Sequence, residues 1–175
     1  SIILATGPFP DTVVEKITTG GVLDGSYGTA GLATLSLGNI TQLGWQTIQP
    51  DDFVILSGFV TVAGHNRATT VRLDPSGNLD PTFGIGGVVT DDISAVNNLS
   101  YGGALQADGK ILIAVSDGTN HYLIRYNTDG SRDSTFGTGG IAPIPSAASP
   151  YSLTINPLTN KAYLGNASGF LRFWL

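Results

Sequence analysis

The chain has 175 residues, 41% of them hydrophobic and only 12% charged, with a net charge of −5. That length suits one compact domain or part of a repeat array with a real core, and the low charge excludes an ordinary charge-rich disordered segment. The acidic balance supplies no basic footprint for nucleic acid and no polybasic patch for a membrane surface.

Other exclusions follow from single residue types. There is no Cys, so disulfides, thiolate nucleophiles and Cys-based metal sites are ruled out. No apolar run approaches the ~18 residues of a membrane-spanning helix, and membrane insertion is not expected. Gly accounts for 24 residues, about twice its ordinary share of ~7%. Glu15 is the sole Glu, and every other acid is Asp. Asp and Gly favour turns whereas Glu favours helices, so the composition predicts many short strands joined by tight turns.

In chain order, Ser1 opens directly on a strand-like run, Ile2-Ile3-Leu4-Ala5-Thr6, which reads as a fragment of a longer chain. A second strand-like run covers 12–18. Then comes a turn block that recurs three times: Gly21-Val-Leu-Asp24-Gly-Ser-Tyr27-Gly28-Thr-Ala-Gly31, Gly77-Asn-Leu-Asp80-Pro-Thr-Phe83-Gly84-Ile-Gly-Gly87 and Gly130-Ser-Arg-Asp133-Ser-Thr-Phe136-Gly137-Thr-Gly-Gly140. The first Gly returns after 56 and then 53 residues. Such a period marks an internal repeat. The anchors of the repeat are Asp24, Tyr27, Gly28 and Gly31, then Asp80, Phe83, Gly84 and Gly87, then Asp133, Phe136, Gly137 and Gly140.

Each turn block is followed by a hairpin signature: 47–57, 104–114 and 154–164, turning at Gln49-Pro-Asp-Asp, Gln106-Ala-Asp-Gly and Asn156-Pro-Leu-Thr-Asn. A further strand with a polar exit closes each copy at 68–74, 121–127 and 169–175. Each repeat thus supplies about four strands, placed in the second copy at 88–92, 99–106, 110–116 and 121–127. Ile111 to Val115 is apolar throughout, which predicts a strand buried on both faces. Pro143 and Pro145 restrict the first strand of the third copy to a sheet edge. No helical periodicity exceeds one or two turns.

The units read as a half unit at 1–20 and whole units at 21–76, 77–129 and 130–175. Four-stranded antiparallel units of ~50 residues, buried on both faces, predict an all-β fold of β-propeller blades. A threefold β-trefoil or β-prism is the competing architecture. Three and a half units fall short of the usual 4–8 blades. The expected partners are therefore other copies or other segments of the same protein, completing the ring.

The segment from Leu105-Gln-Ala-Asp-Gly-Lys-Ile-Leu-Ile-Ala114 through Arg125-Tyr-Asn-Thr-Asp-Gly to Gly140 resembles the delta-sixty repeat family. The likeness weakens toward both ends: Tyr27 replaces Phe, Ala30 replaces Gly, and the last copy lacks the Asp-Gly-Lys turn. The resemblance implies propeller-like repeats of secreted bacterial surface proteins or of tail-fibre and baseplate proteins in large tailed phages. It brings no catalytic residues. The expectation is a non-enzymatic scaffold or recognition module of a virion, extracellular or cell surface, with a cell-surface glycan as a candidate partner. The alternative is a glycan- or protein-binding module of a secreted bacterial protein.

Several constellations have simpler structural explanations. Asp24, Asp80 and Asp133 suit Asx-turns, in which a carboxylate accepts local backbone N–H groups. Asp74, Asp80, Asp129 and Asp133 are weak calcium candidates, with oxygen ligands at alternate positions but no closing Glu. The turn-block aromatics suit wedges between sheets. The Gly84 and Gly137 clusters do not complete a phosphate-binding fingerprint. His65 and His121 fall at different repeat positions and are read as surface or hydrogen-bonded residues. Asp51-Asp52 and Asp91-Asp92 are neighbours pointing to opposite faces, so they do not form a glycosidase pair; solvated sites beside turns are expected. The sequons at Asn39, Asn98 and Asn166 carry no functional weight. No catalytic, cofactor or firm metal site is read.

Overall fold

The computed structural model describes residues 2–6, 12–37, 40–145, 150–167 and 169–175. The described chain is all β, arranged in four antiparallel sheets. The first holds β1 (Ile2–Thr6), β2 (Thr12–Ile17) and β3 (Leu32–Leu35). The second holds β4 (Ile40–Ile48), β5 (Val54–Val62), β6 (His65–Leu73) and β7 (Val88–Asp91). In the third, β8 (Leu99–Leu105), β9 (Ile111–Ser116), β10 (His121–Tyr126) and β11 (Ile141–Ile144) repeat that arrangement. The fourth holds β12 (Pro150–Asn156), β13 (Lys161–Asn166) and β14 (Gly169–Trp174). Strands pair with their chain neighbours within each sheet, and β4, β8 and β12 bring successive sheets together. This is the radial, blade-by-blade order of a propeller rather than a threefold trefoil or prism.

The sheets are offset from the repeat units of the sequence. Each repeat begins with a turn block whose following strand, β3, β7 or β11, joins the sheet of the preceding repeat. Three repeats and a half unit therefore appear as two four-stranded sheets flanked by two three-stranded ones. Among the described residues, β14 and β1 are the outermost strands of the fourth and first sheets on their free sides.

Burial follows the pattern of residue types. All six residues of β9 are buried, because sheets pack on both of its faces. Ile111, Ile113 and Val115 enter the core shared with the second sheet, while Leu112 and Ala114 enter the core shared with the fourth. β10 divides likewise, with Ile124 and Tyr126 on one side and Leu123 on the other. β11 lies at a sheet edge, where Pro143 costs no ladder bond from a second neighbour. The sheets converge at their inner strands, and glycine permits the approach. A Cβ on Gly44 would stand 2.6 Å from the Ser100 carbonyl oxygen, and one on Gly103 would stand 2.4 Å from the Trp45 ring.

Candidate functional site

The turn blocks form the most regular feature of the molecule, a row of near-identical sites along the seams between sheets. Each is built on a basic residue eight positions before the anchor Asp. Lys16, Arg72 and Arg125 accept the backbone N–H of Asp24, Asp80 and Asp133, and donate their own N–H groups to the carbonyls of Gly31, Gly87 and Gly140. These bonds fold the block back on the strand that precedes it.

The carboxylates then close the turns. Oδ1 of Asp24, Asp80 and Asp133 accepts the backbone N–H of Ser26, Thr82 and Thr135 at 3.1, 3.0 and 3.0 Å. The same oxygens accept the hydroxyls at 2.6, 2.8 and 2.7 Å. Oδ2 of Asp80 accepts from Arg72 Nε at 2.6 Å, and that of Asp133 from Arg125 Nε at 2.8 Å and Lys110 Nζ at 2.9 Å. The Lys16 ammonium lies 3.8 Å from Asp24.

The acidities follow from these bonds. The Thr135 hydroxyl, then Lys110, hold Asp133 well below the usual carboxylate range. Hydrogen bonds from Ser26 lower Asp24. Burial alone would raise Asp80, but Thr82 and Arg72 together outweigh it and the carboxyl is lowered.

Each basic side chain also lies over the block's aromatic ring. Lys16 is 5.6 Å from the Tyr27 centroid, Arg72 4.8 Å from Phe83, and Arg125 4.6 Å from Phe136, within the range of cation–π attraction. Tyr27 and Phe83 are fully buried between sheets. Phe136 packs against the core between the third and fourth sheets but stays half-buried.

The difference at Phe136 has a geometric cause: successive blocks dock head to tail. Gly77 sits on Tyr27, with 3.2 Å between its Cβ position and the ring, and Gly130 sits on Phe83 at 3.0 Å. Gly28 donates its N–H to the Ser76 carbonyl at 2.7 Å, and Gly84 to that of Asp129 at 2.8 Å. Arg72 donates across the seam to the Thr128 carbonyl, and Lys16 pairs with Asp52 of the second sheet at 3.5 Å. Phe136 and Gly137 have the same geometry on their own side, but among the described residues no fourth block covers them.

The calcium candidates are not brought together. Asp74 Oδ1 accepts the N–H groups of Ser76 and Asn78, both at 2.9 Å. Asp129 Oδ1 accepts from Ser131, while Asp80 and Asp133 are committed to their arginines. Among the described residues no group of three or more His, Asp or Glu is placed to hold a metal, and each of these carboxylates closes its own turn.

Other residues depart from their sequence reading. Asp91 is buried, not solvated: it accepts the Tyr126 hydroxyl and the Arg132 guanidinium across the seam between the second and third sheets. Its neighbour Asp92 pairs separately with Arg67 at 3.0 Å. His65 is exposed, but His121 is buried, and its Nδ1 has no partner among the described residues. Asn98 is buried, with its amide donating to the Val96 and Ser94 carbonyls, so that sequon is closed to modification. Asn39 and Ser168, which belong to the other two sequons, lie outside the described residues. The Lys/Arg–Asp–aromatic triad has a signal in the sequence, because the spacing of Lys16, Arg72 and Arg125 follows that of the glycines.

Comparison with known proteins agrees with this architecture. Residues 49–83 and 106–136 match the family model described as "domain of unknown function (DUF5122) beta-propeller". The matches cover over a third of the chain and include the Asp80–Phe83 and Asp133–Phe136 anchors. No curated protein matches the chain.

Proposed function

We propose that this chain, whose four sheets follow the blade order of a β-propeller, serves as a non-enzymatic structural module in a ring completed by other copies or other segments of the same protein. The observation that carries this reading is the unfinished third seam. The contacts that Tyr27–Gly28 and Phe83–Gly84 make with the following block are prepared at Phe136–Gly137. On the outer face of β14, turned away from the core that holds Phe136, Phe170 and Trp174 are 84% and 71% exposed. Large apolar side chains exposed together mark an interaction surface more often than a solvated face. The ionisable groups of the turn blocks are saturated by their neighbours, which suits a load-carrying role and not acid–base work.

The finer assignment is to a virion tail fibre or baseplate, where the module acts in assembly or host-surface recognition. Low charge, richness in Ser, Thr, Asn and Gly, and the repeat resemblance support it. Particles whose parent protein lacks residues 1–175 provide the test. Defective assembly or adsorption is expected, and particles that assemble and adsorb normally overturn the assignment.

A further inference from the structure

We propose that a cleft between the inner hairpins of the second, third and fourth sheets binds a neutral polyhydroxylated ligand about the size of one sugar ring. The cleft has a volume of about 330 Å³ and is lined by Gln49, Gln106, Leu105, Ile155, Pro157 and Asn160, among others. That is the low end of the range for small-molecule sites.

Gln49 and Gln106 occupy the same repeat position, just before each hairpin turn. Their backbone groups are used within the turns: Gln49 donates to Phe53 and Gln106 to Lys110, both at 2.8 Å, and their carbonyls accept from Asp52 and Gly109 at 3.0 Å. The side chains are left over. They are only 9% and 5% exposed, and Oε1 of each has no hydrogen-bond partner among the described residues. The Gln106 amide is oriented by its Nε2, which donates to Asn160 Oδ1 at 3.3 Å. Two buried amide oxygens without donors carry a desolvation cost that an apolar residue would avoid. The third copy shows how the cost is otherwise removed: Asn156 turns its Oδ1 onto its own hairpin and accepts from Leu158 and Thr159.

The chemistry of the cleft selects the ligand class. No charged side chain lines it, so an ion would be desolvated without compensation. Hydroxyls both donate and accept. They meet the two glutamine oxygens, each brought into the cleft by rotation of its side chain, while C–H faces rest on Leu105, Ile155 and Pro157. The site lies wholly within sheets that this chain supplies, so it stands independently of ring completion.

The test is titration of the isotope-labelled chain with methyl α-glucopyranoside, methyl β-galactopyranoside and methyl N-acetyl-β-glucosaminide, with glycerol as the small-polyol control. The side-chain amide resonances of Gln49 and Gln106 are followed. Saturable shifts with at least one glycoside are expected, with affinity falling about tenfold in Gln106→Met. That variant keeps the side chain's shape and removes the unpaired oxygen, so it should melt at or above the wild-type temperature. The proposal is overturned if no glycoside gives saturable shifts, if glycerol does equally well, or if Gln49→Met and Gln106→Met both retain full affinity.

Discussion

At the scale of single residues, the first repeat shows what the turn block tolerates and at what cost. Tyr27 stands where the other copies carry Phe83 and Phe136. Its ring is buried, and its hydroxyl has no hydrogen-bond partner among the described residues. Burial, and then the Asp74 carboxylate, push its phenol up to about 12. A buried unpaired hydroxyl costs about 1–3 kcal/mol, so Tyr27→Phe should raise stability by about 1 kcal/mol in chemical denaturation. Ala30 stands where the other copies carry Gly86 and Gly139, and it holds a φ of 53°. The left-handed region costs a residue with a Cβ about 1–2 kcal/mol, offset in part by the extra freedom of glycine in the unfolded chain. Ala30→Gly should therefore stabilise by about 0.5–1 kcal/mol in the same assay, with an unchanged denaturant slope. Gly28, Gly84 and Gly137 have no such latitude. At φ near 54°, a Cβ on Gly84 would fall 2.4 Å from the Val88 carbonyl oxygen, and backbone there cannot move aside.

At the scale of the element, the turn block joins local chemistry to the packing of neighbouring sheets, and equivalent glycines separate the two. Gly21 and Gly130 open their blocks with φ of 78° and 83°. A Cβ on Gly21 would meet nothing within 4 Å, whereas one on Gly130 would stand 2.9 Å from the Gly84 nitrogen and 3.0 Å from Phe83. Gly21→Ala should thus cost only the backbone term, about 1–2 kcal/mol. Gly130→Ala should cost about 3 kcal/mol, because overpacking of the seam is added; paired denaturation curves check the difference. Acid sensitivity belongs to the same element. A carboxyl whose folded pKa is depressed gives stability that is complete above its unfolded value, near pH 4. That stability is lost as the pH falls toward the folded value. Asp133, held low first by Thr135 and then by Lys110, should make the wild-type chain lose stability steeply below about pH 4, and Asp133→Asn should flatten that limb of a pH-dependent melting series. The turn itself was legible in the sequence, because glycine, Asp and aromatic spacing state backbone requirements locally. The triad was harder to read: Lys16, Arg72 and Arg125 sit inside strands, where a basic residue ordinarily signals a solvated face, and only the fold turns them back over the block. The paired amides of Gln49 and Gln106 were invisible for a related reason, since their cleft forms only when three hairpins converge. The assignment of each block's following strand to the previous sheet also lies beyond local pattern, because alternation shows that a strand exists but not which neighbour it joins.

At the scale of the whole molecule, the four sheets form an arc with two different ends. The open face of the last sheet carries Tyr163 and Arg172 side by side in register, then Lys161 beside Trp174, and Gly165 beside Phe170. The Lys161 ammonium lies 3.9 Å from the Trp174 ring centroid, which keeps the indole extended over the sheet. On the opposite face of the same strands, Leu153, Ala162 and Leu164 are buried against the third sheet. The two faces therefore differ in what covers them, and the exposed one has the apolar content of a seam. The open edge of β14 lies at this end, whereas Phe136 packs on the covered face, in the seam between the third and fourth sheets. A second copy docking there would set its first sheet, β1 to β3, against this exposed face. Each ring so formed would close by rotation, and a heterologous contact that did not close would extend into a filament. The chain should accordingly show concentration-dependent association above its 18.1 kDa mass in light scattering coupled to size-exclusion chromatography. Phe170→Ser combined with Trp174→Ser should hold it at the single-chain mass with an unchanged β-sheet circular dichroism spectrum, because neither side chain supports a core in the isolated arc. A wild-type chain that stays at single-chain mass at high concentration would assign the completing blades to other segments of the parent protein instead of to copies of this one.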